Sequence, residues 1–185
     1  MINRKTFFKE YKNNLDKNKS LSTQEVKDID ILLDNIDNHF PELDINQWAY
    51  FLATTFHETA FTMAPVIEAF NLSESWRKSH LRYYPYYGRG YVQITWLDNY
   101  KKFSKMLNID LVSKPELTLI PKNAFQIALK GFILGLFTGK KMSDYIVGNK
   151  KDYKGARRII NGTDKTDKIA AYAELFEKIL RKSVL

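Results

Sequence analysis

The residues of this chain best suited to chemistry are two glutamates ten positions apart, Glu58 and Glu68, followed by the run Gly88-Arg89-Gly90-Tyr91-Val92-Gln93-Ile94-Thr95. Acid/base cleavage of a glycosidic bond needs one carboxyl group that gives a proton to the leaving oxygen. A second, ionised, serves as base or nucleophile. Glu58 stands among Phe56, Ala60, Phe61 and Met63, apolar company that disfavours a charged carboxyl and suits a proton donor. Glu68 lies beyond Pro65, so it should leave the helix that carries Glu58 and face it across a cleft. The competing reading is a pair of ordinary surface carboxylates.

The glycine-framed run adds weight. Gly88 and Gly90 allow a backbone to approach a ligand closely. Read as a strand over 90–95, the run points Gln93 and Thr95 to one face, because side-chain direction alternates. A threonine hydroxyl there can hold a water, and a glutamine amide can bind a sugar. The neighbouring tyrosines 83, 84, 86, 87 and 91 offer rings for stacking on sugars, or simple strand filler. His57 has no serine or cysteine motif beside it, so a catalytic triad has no support. A structural histidine that fixes the local backbone or the position of Glu58 is the better reading.

These groups need elements to hold them, and the pattern is mostly helical. Ser22-Thr23-Gln24-Glu25 has capping-box spacing, followed by Val26, Ile29, Leu32, Leu33 and Ile36 at helical intervals, with Pro41 past the end. Asp44 is the expected N-cap of a helix through Trp48, Leu52, Thr55, Phe56 and Thr59, which puts Glu58 near its C-terminal end. From Pro65 to Tyr100 the helical period fails, and Asn99 to Leu107 resumes it. Ala124 to Leu136 is apolar nearly all round, as a helix in the middle of a domain should be. Arg157-Arg158-Ile159-Ile160 runs into the turn Asn161-Gly162. Asp167 is expected to cap a last helix with Ile169, Tyr172, Phe176, Ile179 and Leu180 on one face. The sum is an α+β domain, predominantly α-helical, with a small β insert beside a cleft between two lobes.

Composition narrows the classes. The length of 185 residues and 44% hydrophobic content suit one domain with a real core. There is no cysteine, so no disulfide, thiol nucleophile or thiolate metal site. The three histidines form no HxxxH pair, and neither metal nor cofactor is expected. The N-terminal stretch never opens into a signal-like apolar run, and Ala124 to Phe137 is too short to span a bilayer. Synthesis in the cytosol is therefore expected. A net charge of +8 favours an anionic partner. No helix-turn-helix signature or dense basic stripe supports nucleic acid.

At this point a resemblance can be stated. His57-Glu58-Thr59, Met63-Ala64-Pro65-Val66-Ile67-Glu68, the run 88–95 with Asn99-Tyr100, and Ile159-Ile160-Asn161-Gly162 stand in the order found in family 19 glycoside hydrolases. That family includes chitinases and many bacteriophage endolysins, with a lysozyme-like fold. The likeness covers approximately residues 20 to 182 and is strongest to compact endolysins, where a Tyr-Tyr-Pro-Tyr-like segment precedes the run.

The resemblance implies that Glu58 is the general acid, Glu68 the second acidic residue, and Thr95 the hydroxyl that positions the attacking water. It further implies that Gln93, Asn99 and Asn161 line the sugar cleft. Tyr87, Arg89 and Tyr91, from the run and its approach, are expected as further sugar contacts. Lys168 stands where chitinases often have arginine, which would turn a bidentate contact into a point charge. The second carboxylate of plant chitinases lies further along, a departure that bears on Glu68. The implied reaction is an inverting hydrolysis of β-1,4 bonds in peptidoglycan, with the two carboxyl groups roughly 6.5–9.5 Å apart. Chitin is the alternative substrate, and a lytic transglycosylase or a noncatalytic wall-binding module the alternative activities. The whole chain, 1–185, is expected to be one catalytic domain without a separate wall-binding unit, monomeric, held in a host cytoplasm and then released to the periplasm and wall. The basic last helix, with Lys165, Lys168, Lys178, Arg181 and Lys182, offers a contact to an anionic outer membrane, or a solvated rim on a helix that closes the core.

Overall fold

The computed structural model describes residues 1–15 and 20–185. Helix α1 (Arg4–Asn14) was not evident from the sequence pattern, since only Phe7 and Tyr11 of it are buried. Helix α2 (Thr23–His39) begins on the expected capping box: the Glu25 amide donates to Ser22 Oγ at 3.2 Å and the Ser22 amide to Glu25 Oε2 at 2.8 Å. Its buried stripe is Ile29, Leu32, Leu33 and Ile36.

Helix α3 (Ile45–Glu58) starts at Asp44, which accepts from the Gln47 amide while Gln47 Oε1 accepts from the Asp44 amide. Every residue from Trp48 to Phe56 is buried. This helix, rather than the 124–136 segment, is the enclosed centre of the domain. Trp48, Phe51 and Phe56 pack on Phe125, Phe132, Tyr172 and Phe176, and each fully buried ring stabilises by roughly 1.5–3 kcal/mol. Glu58 is thus the last residue of the most firmly held element.

Between α3 and α5 (Leu97–Leu107) the sequence reading needs two corrections. A short helix α4 (Glu74–His80) forms there, capped by Ser73 Oγ, which accepts from the Trp76 amide. The expected strand 90–95 shrinks to β2 (Arg89–Gly90), antiparallel to β1 (Val66–Ile67), with Val66 opposite Gly90 and Ile67 opposite Arg89. After Gly90 the chain turns through Tyr91–Gln93 and returns as the single bridge Arg89–Ile94. Gln93 itself has φ +54°, which a strand excludes.

Helix α6 runs over Pro121–Leu134, earlier than expected at both ends. Pro121 suits a first turn, where its missing N–H is not needed. Gly135, at φ +69°, ends the helix in the left-handed conformation glycine adopts at least cost. Helix α7 (Met142–Tyr145) and the hairpin β3 (Ile146–Val147) with β4 (Lys150–Lys151) follow.

Helix α8 (Thr166–Ser183) packs most extensively on α3 and also on α1. Asp167 does not cap it: Lys165 occupies the N-cap without a side-chain bond, and Asp167 pairs with Lys154 at 2.7 Å. Its apolar face is spent on the core, with Ile169, Phe176, Ile179 and Leu180 buried, so that face is not available to a membrane. Glu177 is pinned there by Lys151 Nζ at 3.0 Å, Tyr153 Oη at 2.9 Å and Arg181 Nε at 2.8 Å. Burial opposes its charge, but the Arg181, Lys151 and Tyr153 hydrogen bonds outweigh it and hold the carboxyl below its usual range. No described helix is long and apolar enough to cross a membrane.

Candidate active site

Both glutamates line one cleft of about 440 Å³, a volume suited to a small ligand or a few sugar units. One wall comes from the segment 83–99. The other comes from Phe137, Ile160 and Asn161.

Each acid is held by a different device. Glu58 Oε1 accepts from Arg157 Nη1 at 2.7 Å, and Arg157 is 3% exposed. A buried arginine, not hydrocarbon alone, is therefore the nearest neighbour of this carboxyl, which corrects the purely apolar setting inferred from sequence. Arg157 Nε donates to the Asp164 carbonyl at 2.9 Å, so its fork is fixed at both edges. No described hydrogen bond reaches Glu58 Oε2, leaving that oxygen for a ligand.

Glu68 follows β1 directly. Its amide donates to the Gly88 carbonyl at 2.7 Å, the Gly88 amide returns a bond to Oε2 at 2.9 Å, and Tyr83 Oη donates to Oε1 at 2.6 Å. Burial and the bond to Glu68 push the Tyr83 hydroxyl up to about 12, so it remains a proton donor to Glu68 at neutral pH. With both oxygens accepting, Glu68 is arranged as a proton acceptor. Gly88 is confined by this contact: a Cβ there would meet Gln93 Oε1 at 2.8 Å and Glu68 Oε2 at 3.3 Å. We expect Gly88→Ala to displace Glu68 and lower turnover by about a hundredfold, since small misplacements of reacting groups carry penalties of that order. Steady-state rates beside a melting curve would separate this from simple unfolding.

Thr95 Oγ1 donates to the Gln93 carbonyl at 3.0 Å, which leaves its lone pairs to accept from a water. Asn99 lines the cleft with Nδ2 bonded to the Thr95 carbonyl at 2.7 Å. Gln93 also lines it, but its amide NH₂ is spent on the Val66 and Gly90 carbonyls at 2.9 and 3.1 Å, so only Oε1 can meet a sugar. Asn161 stands on the opposite wall, exposed, its backbone N–H donating to the Arg157 carbonyl at 3.0 Å. The 3₁₀ turn Gly155–Ile159 thus sets both Arg157 and Asn161.

Five expected site residues are not among those lining the cleft. Tyr87 and Tyr91 are buried, and Tyr87 Oη bonds Glu74 at 2.9 Å. Arg89 is 5% exposed, stacked 3.6 Å from the Tyr87 ring centroid and bonded to Tyr100 Oη at 2.8 Å. All three are buried and brace the β insert from within rather than facing a sugar. Lys168 lies 5.6 Å from the Phe61 ring centroid. His57 makes no described bond to Glu58, and its Nδ1 is buried without a partner. Burial, aided by Arg157 and Lys168, holds this imidazole below its usual range against the opposing pull of Glu58. Arg157 takes the positioning role expected of His57.

Two residues escaped the sequence reading. Arg157 beside the apolar Ile159-Ile160 was a usable signal, because a buried arginine demands a carboxylate partner. Trp96 gave none, since its exposure depends on tertiary placement. Of the eight non-glycine residues with positive φ among the described residues, six (Ala60, Phe61, Met63, Ala69, Gln93 and Trp96) lie in the segments that carry Glu58, Glu68 and Thr95. Backbone strain of that kind costs on the order of 1–3 kcal/mol each and gathers at functional sites.

Comparison by sequence gives no matching family model and no matching curated protein. Comparison of structure does. Chitinase C from Streptomyces griseus HUT6037 aligns with a TM-score of 0.64 at 19% identity, over 98% of this chain and 77% of that one. The fold is that of the family 19 chitinases. A mutant of chitinase C aligns at 0.62 with 17% identity, over 98% and 93% of the two chains. A further bacterial family 19 chitinase gives 0.50 at 20% identity, over 96% and 84%. The lysozyme-like, chitinase-type scaffold inferred from the ordered motifs is therefore present, with the small β insert beside its cleft.

Proposed function

We propose that this protein is a glycoside hydrolase that cleaves β-1,4 bonds between amino sugars of bacterial peptidoglycan, in the manner of a phage lysis enzyme. The observation that carries the reading is the pair Glu58 and Glu68 on one cleft, each immobilised by its own partners, with the Thr95 hydroxyl on the same surface. Glu58, through Oε2, protonates the glycosidic oxygen. Glu68 takes the proton of a water that Thr95 orients, and that water attacks the anomeric carbon from the opposite face, inverting it. Arg157 and Tyr83 hold the two acids through this transfer. The +8 charge draws the protein to an anionic wall. Chitin is the second reading, favoured by the chitinases that share the fold.

Fragments released from purified peptidoglycan test the proposal. Reducing sugar ends with inverted anomers are expected from the wild type, and loss of nearly all product from Glu68→Gln. Anhydro sugar ends would mean a lytic transglycosylase, and products from chitin oligomers alone would move the substrate to chitin.

A further inference from the structure

Trp96 lines the cleft with Glu68, Arg82 borders it only through the indole it lies over, and neither has a part in the acid/base chemistry. Trp96 lines the cleft and is 46% exposed, an unusual outlay for a large apolar ring. Its backbone is at φ +75°, a conformation bulky residues avoid. That conformation is fixed by its amide donating to the Tyr86 carbonyl at 2.8 Å and by its carbonyl accepting from the Asn99 amide at 3.0 Å. Tyr83, which also holds Glu68, braces the indole edge-on at 4.9 Å between ring centroids. The Arg82 guanidinium lies 5.0 Å from the indole centroid. Arg82 is exposed and, like Arg158, forms no ion pair among the described residues, whereas Arg4, Arg77, Arg157 and Arg181 are paired.

A braced indole that stays half-exposed with Arg82 over its ring offers its remaining apolar surface to the C–H face of a sugar ring, and a guanidinium without an ion pair seeks a planar anion. We propose that Trp96 and Arg82 form a subsite for an amino sugar bearing a carboxylate substituent, with Trp96 under the ring and Arg82 on the carboxylate. The inference rests on the hydrolase reading and adds its specificity. Chitin presents the ring without the charge. Peptidoglycan presents both, the carboxylate lying on the lactyl group once peptides are removed or on the peptide arm when they are present.

Kinetics of the full chain on three substrates test this: chitin hexaose, peptide-free wall glycan strands and peptide-bearing strands. Arg82→Ala should raise KM on carboxylate-bearing strands about fivefold with kcat held, as for a partly exposed ion pair, and leave chitin hexaose unchanged. An effect on peptide-free strands assigns the carboxylate to the lactyl group. An effect on peptide-bearing strands alone assigns it to the peptide. Arg82→Lys should recover part of the loss. Trp96→Ala should raise KM about tenfold on every substrate cleaved, and Trp96→Phe should restore most of it. Equal effects of Arg82→Ala on charged and neutral substrates, no effect on either, or a wild-type KM in Trp96→Ala would overturn the subsite while wall cleavage by the wild type stands. A wild type that cleaves none of the three removes the hydrolase reading, and the subsite with it.

Discussion

Glu58→Gln should lower turnover about a thousandfold, within the range that general-acid groups contribute, and should leave the fold standing. The structure supplies the reason for the second half. Arg157 Nη1 donates to Glu58 Oε1 at 2.7 Å, and a glutamine amide oxygen can accept the same bond. What disappears is a carboxyl group able to pass a proton through its unbonded oxygen. The melting temperature should therefore fall modestly, while product release from peptidoglycan falls nearly to background. A Glu58→Gln protein with most of its activity would transfer the acid role elsewhere.

Arg157→Ala should carry the largest stability penalty of any single change near the cleft. Arg157 is 3% exposed and Glu58 18% in their side chains. Removing the guanidinium strands a mostly buried carboxylate, a loss of about 3 kcal/mol or more. It also frees the Asp164 carbonyl and empties the space between the 3₁₀ turn Gly155–Ile159 and the end of α3. Urea unfolding of Arg157→Ala, Glu58→Gln and the double variant forms a thermodynamic cycle. The double variant should cost clearly less than the sum of the two, because the stranded charge is gone. Additive costs, or a loss in Arg157→Ala below about half a kcal/mol as at ordinary surface sites, would show that the pair carries no such weight.

The two predictions separate chemistry from support. Glu58 is replaceable in shape but not in proton-giving. Arg157 acts through the position of Glu58. If Arg157→Ala remains folded at low temperature, its defect should appear in kcat more than in KM. Lys at this position restores charge without the fork and should recover only part of the rate.

Much of this was legible in the chain itself. The Ser22 and Asp44 caps, the stripe from Ile29 to Ile36 and the placement of Glu58 at a helix end all stand as read. Those features are set by neighbours within about four residues, the reach of helical hydrogen bonds and capping. The segment 90–95 was read as a strand because its alternation is local too. The turn at Gln93 is held by bonds to Val66 and Gly90, one of them 27 residues away, and no local pattern announces it. Tyr87, Arg89 and Tyr91 were assigned to sugar for the same reason: composition shows that rings are present but not which way they point.

The sequence by itself determined a helical domain with a short β insert and two candidate acids in a recognisable order. Only the tertiary structure decided that Arg157, 99 residues along the chain from Glu58, holds the first acid, that Tyr83 and Gly88 hold the second, and that Trp96 stays open to the cleft. Local propensity is written in each segment, whereas a site is made of side chains from distant segments. Their meeting is fixed by how α3, α8 and the β insert pack around one core.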